Sequence, residues 1–307
     1  MSFQELIEII ADPSAVLTDA PFHEASDPSP GELAEFVQVC DTLNEDRRCE
    51  VLAVMVEQAE DNLELDFTAI FRQSLKDDDD RVVQLGVEGL WELEDRWLVV
   101  ELVGLLRSER GPQVRSTAAV ALGRFPVLAQ EGKLRVQDGE LVYRVLMDFL
   151  EDDIEDLEVR RRCLEAVAPF NTEEVQDYIR WAYDGDEEDL RSSSIYAMGR
   201  TGEAEWLPTL LEELENYDPA VRYEAANACG ELGMEDASLP LAELLRQDDD
   251  SEVRMACIAS LGKIGGAIAR RALIDCMRDG DSAMSDAAHN ELENLEFLDD
   301  PMRLYPG

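Results

Sequence analysis

Ala220-Val221-Arg222-Tyr223-Glu224-Ala225-Ala226-Asn227-Ala228-Cys229-Gly230 decides the fold, because it recurs. The same frame fits Gln113-Val114-Arg115 through Leu122-Gly123, Glu158-Val159-Arg160 through Val167-Ala168, Asp189-Leu190-Arg191 through Met198-Gly199, and Glu252-Val253-Arg254 through Leu261-Gly262. Weaker copies start at Val82 and Met284, and a divergent one runs from Arg47 to Ala59. The anchors at 82, 114, 159, 190, 221, 253 and 284 are spaced by 32, 45, 31, 31, 32 and 31 residues. A fixed period of this size marks an array of supersecondary units.

Each copy carries its own helix signals. Three residues before the anchor stand Asp79, Asp156, Asp218, Asp250 and Asp281, with Gly111 and Glu187 in the other copies. That is the place of a helix N-cap, where a short acceptor satisfies open backbone N–H groups. Pro112 and Pro219 follow directly, where a missing N–H costs nothing. The anchor and positions +4, +7, +8 and +11 are apolar or small, a single buried stripe at helical period. Gly202, Gly233 and Gly265, at +12, mark the exit. Between these helices lie second amphipathic segments, such as Trp206-Leu207 to Leu214 and Leu239 to Leu245. Each unit is therefore an outer helix A, an acidic turn, and an inner helix B. Such a pair buries its faces only by stacking on neighbours.

The expected fold is all-α, a right-handed α-solenoid of about eight helical pairs. It would occupy residues 31–307, after a less regular segment at 1–30. The long interval places an insertion near 126–140, where Lys133 to Val136 and Gln137-Asp138-Gly139 read as either a small hairpin or a long loop.

The frame D-x-x-V-R-x-x-A-x-x-A-L-G-x-x-G resembles the short HEAT-like repeats, of the type also found in phycobilin lyases, over residues 33–297. Ankyrin and tetratricopeptide signatures are missing. The resemblance is specific for fold and poor for function, because such repeats serve many unrelated roles. It implies a tetrapyrrole-handling alternative. Deoxyhypusine hydroxylase, also built on such repeats, holds iron through several His-Glu pairs. Here the only histidines are His23, in the one His-Glu pair, and His289, so that activity is not expected.

Charge narrows the partners. The 307 residues carry 27 Lys+Arg against 70 Asp+Glu, a net charge of −43, while 45% of residues are hydrophobic. This composition folds but repels phosphate, so direct nucleic-acid binding and an anionic membrane surface are disfavoured. Acidic mimicry of nucleic acid remains an alternative, as does adaptation to a salt-rich host. No signal-peptide pattern opens the chain, no stretch is apolar enough to span a bilayer, and six scattered cysteines form no CxxC pair. A cytoplasmic location is expected. No catalytic, metal or cofactor motif stands out, so neither enzymatic activity nor a cofactor is expected. The sequence does not set the oligomeric state.

Two residue sets carry the functional reading. The first is a structural ladder of Val-Arg arginines, Arg115, Arg160, Arg191, Arg222 and Arg254, with the caps Asp156, Asp218 and Asp250, expected to bond carbonyls and the neighbouring repeat. The second comes from the helix wheel. Positions +2, +6 and +9 lie opposite the buried stripe, so they should line the inner groove. There the sequence sets Ser192, Tyr196, Tyr223, Asn227 and Met255, with Gly199, Gly230 and Gly262 at +9, and only one carboxylate, Glu165. Arg161 and Arg200 flank them. An uncharged groove with aromatic and Met side chains, in so acidic a chain, fits a protein partner's helix or extended segment. Trp91 and Trp181 are expected to be partly buried.

Overall fold

The anchor valines point into the joints between helical pairs. Val82, Val114, Val159, Leu190, Val253 and Met284 are all buried, and Val221 is half-buried. The structure, a computed structural model, describes residues 2–278 and 282–299. Asp281, expected to cap the last B helix, lies outside the described residues. Among those described there is no strand; the chain is an α-solenoid. It separates into two compact units, Met1–Cys163 and Leu164–Gly307.

The N-terminal unit opens with α1 (Phe3–Ala11) and α2 (Asp19–Phe22). A reciprocal Ser2–Glu5 capping box starts α1, which buries Phe3, Leu6, Ile7 and Ile10. The pairs α3 (Pro30–Cys40) and α4 (Glu45–Asp61), α5 (Thr68–Ser74) and α6 (Asp80–Glu88), and α7 (Arg96–Leu106) and α8 (Pro112–Leu122) follow. Arg47 of α4, only 6% exposed, donates to the carbonyls of Ile9, Ile10, Asp12 and Ala15. It thereby satisfies the open C-terminal end of α1 and ties the segment after it to the stack.

The interval around residues 126–140 is mostly helical, with a short turn at 131–135 and no hairpin. It holds α9 (Phe125–Gln130) and the first turn of α10 (Val136–Leu150). Gln137-Asp138-Gly139 reads as a turn in isolation, but tertiary contacts override it. Asp138 is buried and takes both oxygens to Arg96 Nε of α7, at 2.9 and 3.0 Å. Gly139 lets Ala129 approach so closely that an added Cβ would sit 3.2 Å from that methyl. The next B helix, α11 (Leu157–Val167), runs through the division between the units.

The C-terminal unit is the more regular. Its A/B pairs are α12 (Glu173–Asp184) with α13 (Glu188–Arg200), α14 (Leu207–Glu213) with α15 (Pro219–Leu232), α16 (Ser238–Gln247) with α17 (Ser251–Ile264), and α18 (Gly266–Cys276) with α19 (Ser282–Asp299). Asp218 accepts from the Ala220 N–H, and Asp250 from those of Glu252 and Val253. Gly233 closes α15 in the left-handed region, φ 68°, its N–H returning to the Cys229 carbonyl.

The B helices pack on one another more tightly than the helix wheel implies. Positions +9 do not face a groove; they sit in the B–B joints. A Cβ on Gly199 would lie 2.5 Å from the Ala228 carbonyl oxygen and 2.6 Å from its Cα. Gly230 likewise meets Ser260, including its Cα, and Gly262 meets the side chain of Glu291. Each contact sets +9 of one repeat against +7 of the next. The wheel treats a helix as facing one neighbour, whereas an inner helix here touches its own A helix and a B helix on either side. Trp91 and Trp181, expected to be partly buried, are each 54% exposed.

Candidate functional site

The B-helix face of the C-terminal unit presents Ser192, Tyr196 and Arg200 from α13, Tyr223 and Asn227 from α15, and Met255 from α17. Tyr223 and Met255, at position +2 of adjacent repeats, are 38% and 39% exposed. Ser192, Tyr196, Asn227, Arg200 and Ala259 are half-buried. Position +6 is thus half-buried in all three repeats, while +2 reaches solvent at Tyr223 and Met255 but not at Ser192. Charges near this face are largely answered within the protein. Ser193 donates to Glu165 at 2.7 Å, and Lys263 pairs with Glu231 across α15 and α17 at 2.6 Å. Arg161 belongs to the N-terminal unit, where its guanidinium meets Glu158 at 3.0 Å.

The Val-Arg arginines occupy the opposite end of the helix pairs, at the A–B turns. Arg222 makes two bonds to Asp248 of the following turn, at 2.6 and 2.9 Å, and two to the carbonyls of Asn216 and Tyr217 in its own. Those bonds hold the nearly buried Asp248 carboxyl below the usual carboxylate range. Arg191 pairs with Glu213 of the next repeat at 2.9 Å, and Arg115 with Glu155. Arg160 and Arg254 donate instead to the last carbonyls of their own A helices, Leu150 and Leu245. Asp156 accepts from the Glu158 N–H.

Glu213 accepts three hydrogen bonds. Burial pushes its carboxyl up, but donors from Tyr183, Asn216 and Arg191 outweigh that and hold it low. Arg124 is the reverse case. It lies deep against Phe125 with one bond, to the Leu90 carbonyl, and burial lowers its pKa to about 10. Burial also pushes the Cys229 and Cys257 thiols up to about 12. The acidic run Asp77 to Asp80 is consumed locally: Asp77 pairs with Arg48, Asp79 caps α6, and Asp80 pairs with Arg110. His289 lies 3.4 Å from Glu293 on α19. No helix among the described residues is long and apolar enough to cross a membrane.

Residues 207–292 match the family model for HEAT repeats. The repeats in this stretch are thus HEAT-like repeats. A HEAT repeat-containing taxis protein of Halobacterium salinarum is 29% identical to this HEAT-like repeat protein over 188 residues, 61% of this chain and 40% of that one. Deoxyhypusine hydroxylase of Saccharomyces cerevisiae is 30% identical over 33% of this chain and 34% of the enzyme, and that of Candida albicans 37% over 28% of each. The chain thus spans 40% or less of the length of these curated relatives. Among solved structures, the complex of CpcE and CpcF of phycocyanin lyase from Nostoc superposes with a TM-score of 0.50 at 18% identity, covering 75% of this chain and 94% of that one. That likeness is one of fold.

These relatives correct one expectation. Five curated deoxyhypusine hydroxylases match this chain at 30–37% identity, so the reading of the chain as not an enzyme does not stand. The expectation rests on the lack of several His-Glu pairs and of any catalytic motif, which the repeat arrangement alone does not supply.

Proposed function

We propose that this HEAT-like repeat protein is a protein-binding scaffold, and that the B-helix face of its C-terminal unit receives a helix or an extended segment of another protein. One observation carries the reading: Tyr223 and Met255 stand exposed on a face with almost no carboxylates, in a chain of net charge −43. Exposed aromatic and Met side chains are enriched where a partner covers them. Tyr196, Asn227 and Ser192 flank them with hydrogen-bonding groups of neutral charge, and Arg200 lies at the edge. The partner anchors apolar side chains over Tyr223 and Met255 and bonds its backbone to Asn227 and Ser192. A taxis component is the first class of partner to test, since the Halobacterium relative bears that role in its name.

The test compares the chain with a Tyr196→Ala/Tyr223→Ala variant in affinity purification from the native host with mass spectrometry. The variant keeps its far-UV circular dichroism and loses a specific set of partners. If it captures the same partners at the same yield, the face is not the binding surface.

A further inference from the structure

A second surface lies on the outer side of the same unit. Helices α16 and α18 run side by side and leave an open cleft of about 340 Å³ between them. Leu245 closes its floor, Ala272 lines it, and Leu239 and Ile268 stand at its mouth, 54% and 41% exposed. Arg246 and Arg271 rim it. Asp275 also lines the cleft and pairs with Arg271 at 2.9 Å and with Arg278 at 3.5 Å, while Arg246 only bonds back to the Ala242 carbonyl at 3.3 Å, so Arg246 leaves the rim a net positive charge.

That sign is the informative feature. The A helix α12 carries four carboxylates against one arginine, and α14 two carboxylates and no base, whereas α18 carries two arginines against one carboxylate. Within this unit carboxylates give way to arginines on α18, beside the exposed Leu239 and Ile268, where solubility alone calls for neither change. We propose that the α16–α18 cleft is a docking site for an acidic amphipathic helix of a partner protein. Apolar side chains spaced i, i+3 and i+7 enter between Leu239 and Ile268, and flanking carboxylates reach Arg246 and Arg271. A nucleic-acid backbone supplies the negative charge but nothing to fill the apolar floor.

The probes are two 18-residue synthetic helices with one leucine stripe, one filled with Glu at its polar positions and the other with Lys. Fluorescence anisotropy with the full chain is read in about 1 M salt, where the Debye length falls to about 3 Å and the long-range field of the chain is suppressed. The Glu peptide binds at least about 10-fold more tightly than the Lys peptide, the opposite of the order set by the net charge. Arg246→Glu/Arg271→Glu inverts that order. Ile268→Asp, a change at an exposed position, weakens the Glu peptide about 10-fold and leaves helicity intact, while Tyr196→Ala/Tyr223→Ala leaves it unchanged. Tighter binding of the Lys peptide, no binding of the Glu peptide, or indifference to both cleft variants overturns the proposal. So does a dimer in sedimentation that Ile268→Asp dissolves, which would assign the cleft to self-association.

Discussion

Substituting Gly199 by alanine tests the tight B–B joint. In an open helix this change is favourable by up to about 1 kcal/mol, because glycine loses more backbone entropy on folding. In α13 the new methyl meets the oxygen, Cα and carbonyl carbon of Ala228 at 2.5, 2.6 and 2.9 Å. These are backbone atoms of α15, so no rotamer change relieves them, and the helices must separate by roughly 1 Å to restore contacts near 3.5–4.0 Å. Overpacking costs about 1–3 kcal/mol, and a rigid obstacle belongs at the upper end. The net expectation is destabilisation by about 1–2 kcal/mol. Gly104→Ala is the control: it lies exposed in α7 with nothing within 4 Å of the new methyl, and should stabilise by about 0.5–1 kcal/mol. Denaturant unfolding read by circular dichroism gives the two midpoints, and hydrogen exchange localises the Gly199→Ala loss to α13 and α15. If Gly199→Ala is as stable as wild type, or if its loss spreads evenly over both units, the joint does not have the geometry described.

Arg222→Ala leaves the Asp248 carboxylate buried without its partner and should cost about 3 kcal/mol, measured by the same unfolding assay. Because the folded Asp248 pKa is depressed, its contribution is present above the unfolded value near 3.9 and is lost as the pH falls through the folded one; the acid limb of a stability–pH curve should therefore flatten in Arg222→Ala, and an unchanged limb refutes the assignment. Cys229 and Cys257, with pKa values pushed up to about 12, should react with a thiol reagent at pH 8 only after unfolding, so rapid labelling of the native chain contradicts their burial. With a net charge of −43, the thermal midpoint should rise as monovalent salt is raised from 0.1 to about 2 M, and a flat response means that repulsion does not limit stability.

The repeat and its caps were legible because they are local. Asp218 and Asp250 bond N–H groups two or three residues away, so sequence spacing alone specifies them. The reach of the Val-Arg arginines was legible in kind but not in partner, since Arg222 finds Asp248 while Arg254 stays with its own A helix. The helix near residues 136–140 was hidden because a distant residue, Arg96, stabilises what its own sequence marks as a turn. Exposure at Tyr223 and Met255 followed from the wheel, whereas burial at Gly199 and Gly230 did not, because a single-helix projection omits the flanking B helices. The cleft between α16 and α18 left no local mark at all, as Leu239 and Ile268 fit an ordinary amphipathic period and reveal themselves only when their neighbours are placed.

The pairing of +9 with +7 has a consequence for how such a chain changes length. Gly199 faces Ala228 as Gly230 faces Ser260, so the two sides of any one brick are cut to the same template. Excising residues 218–249 brings the exposed edge of α13 against that of α17 with knob and socket still matched, one period shorter. Duplication or loss of a whole period therefore needs no new invention at the seam, and the reach of the array can drift in evolution in steps of one brick while each surviving interface stays as it was.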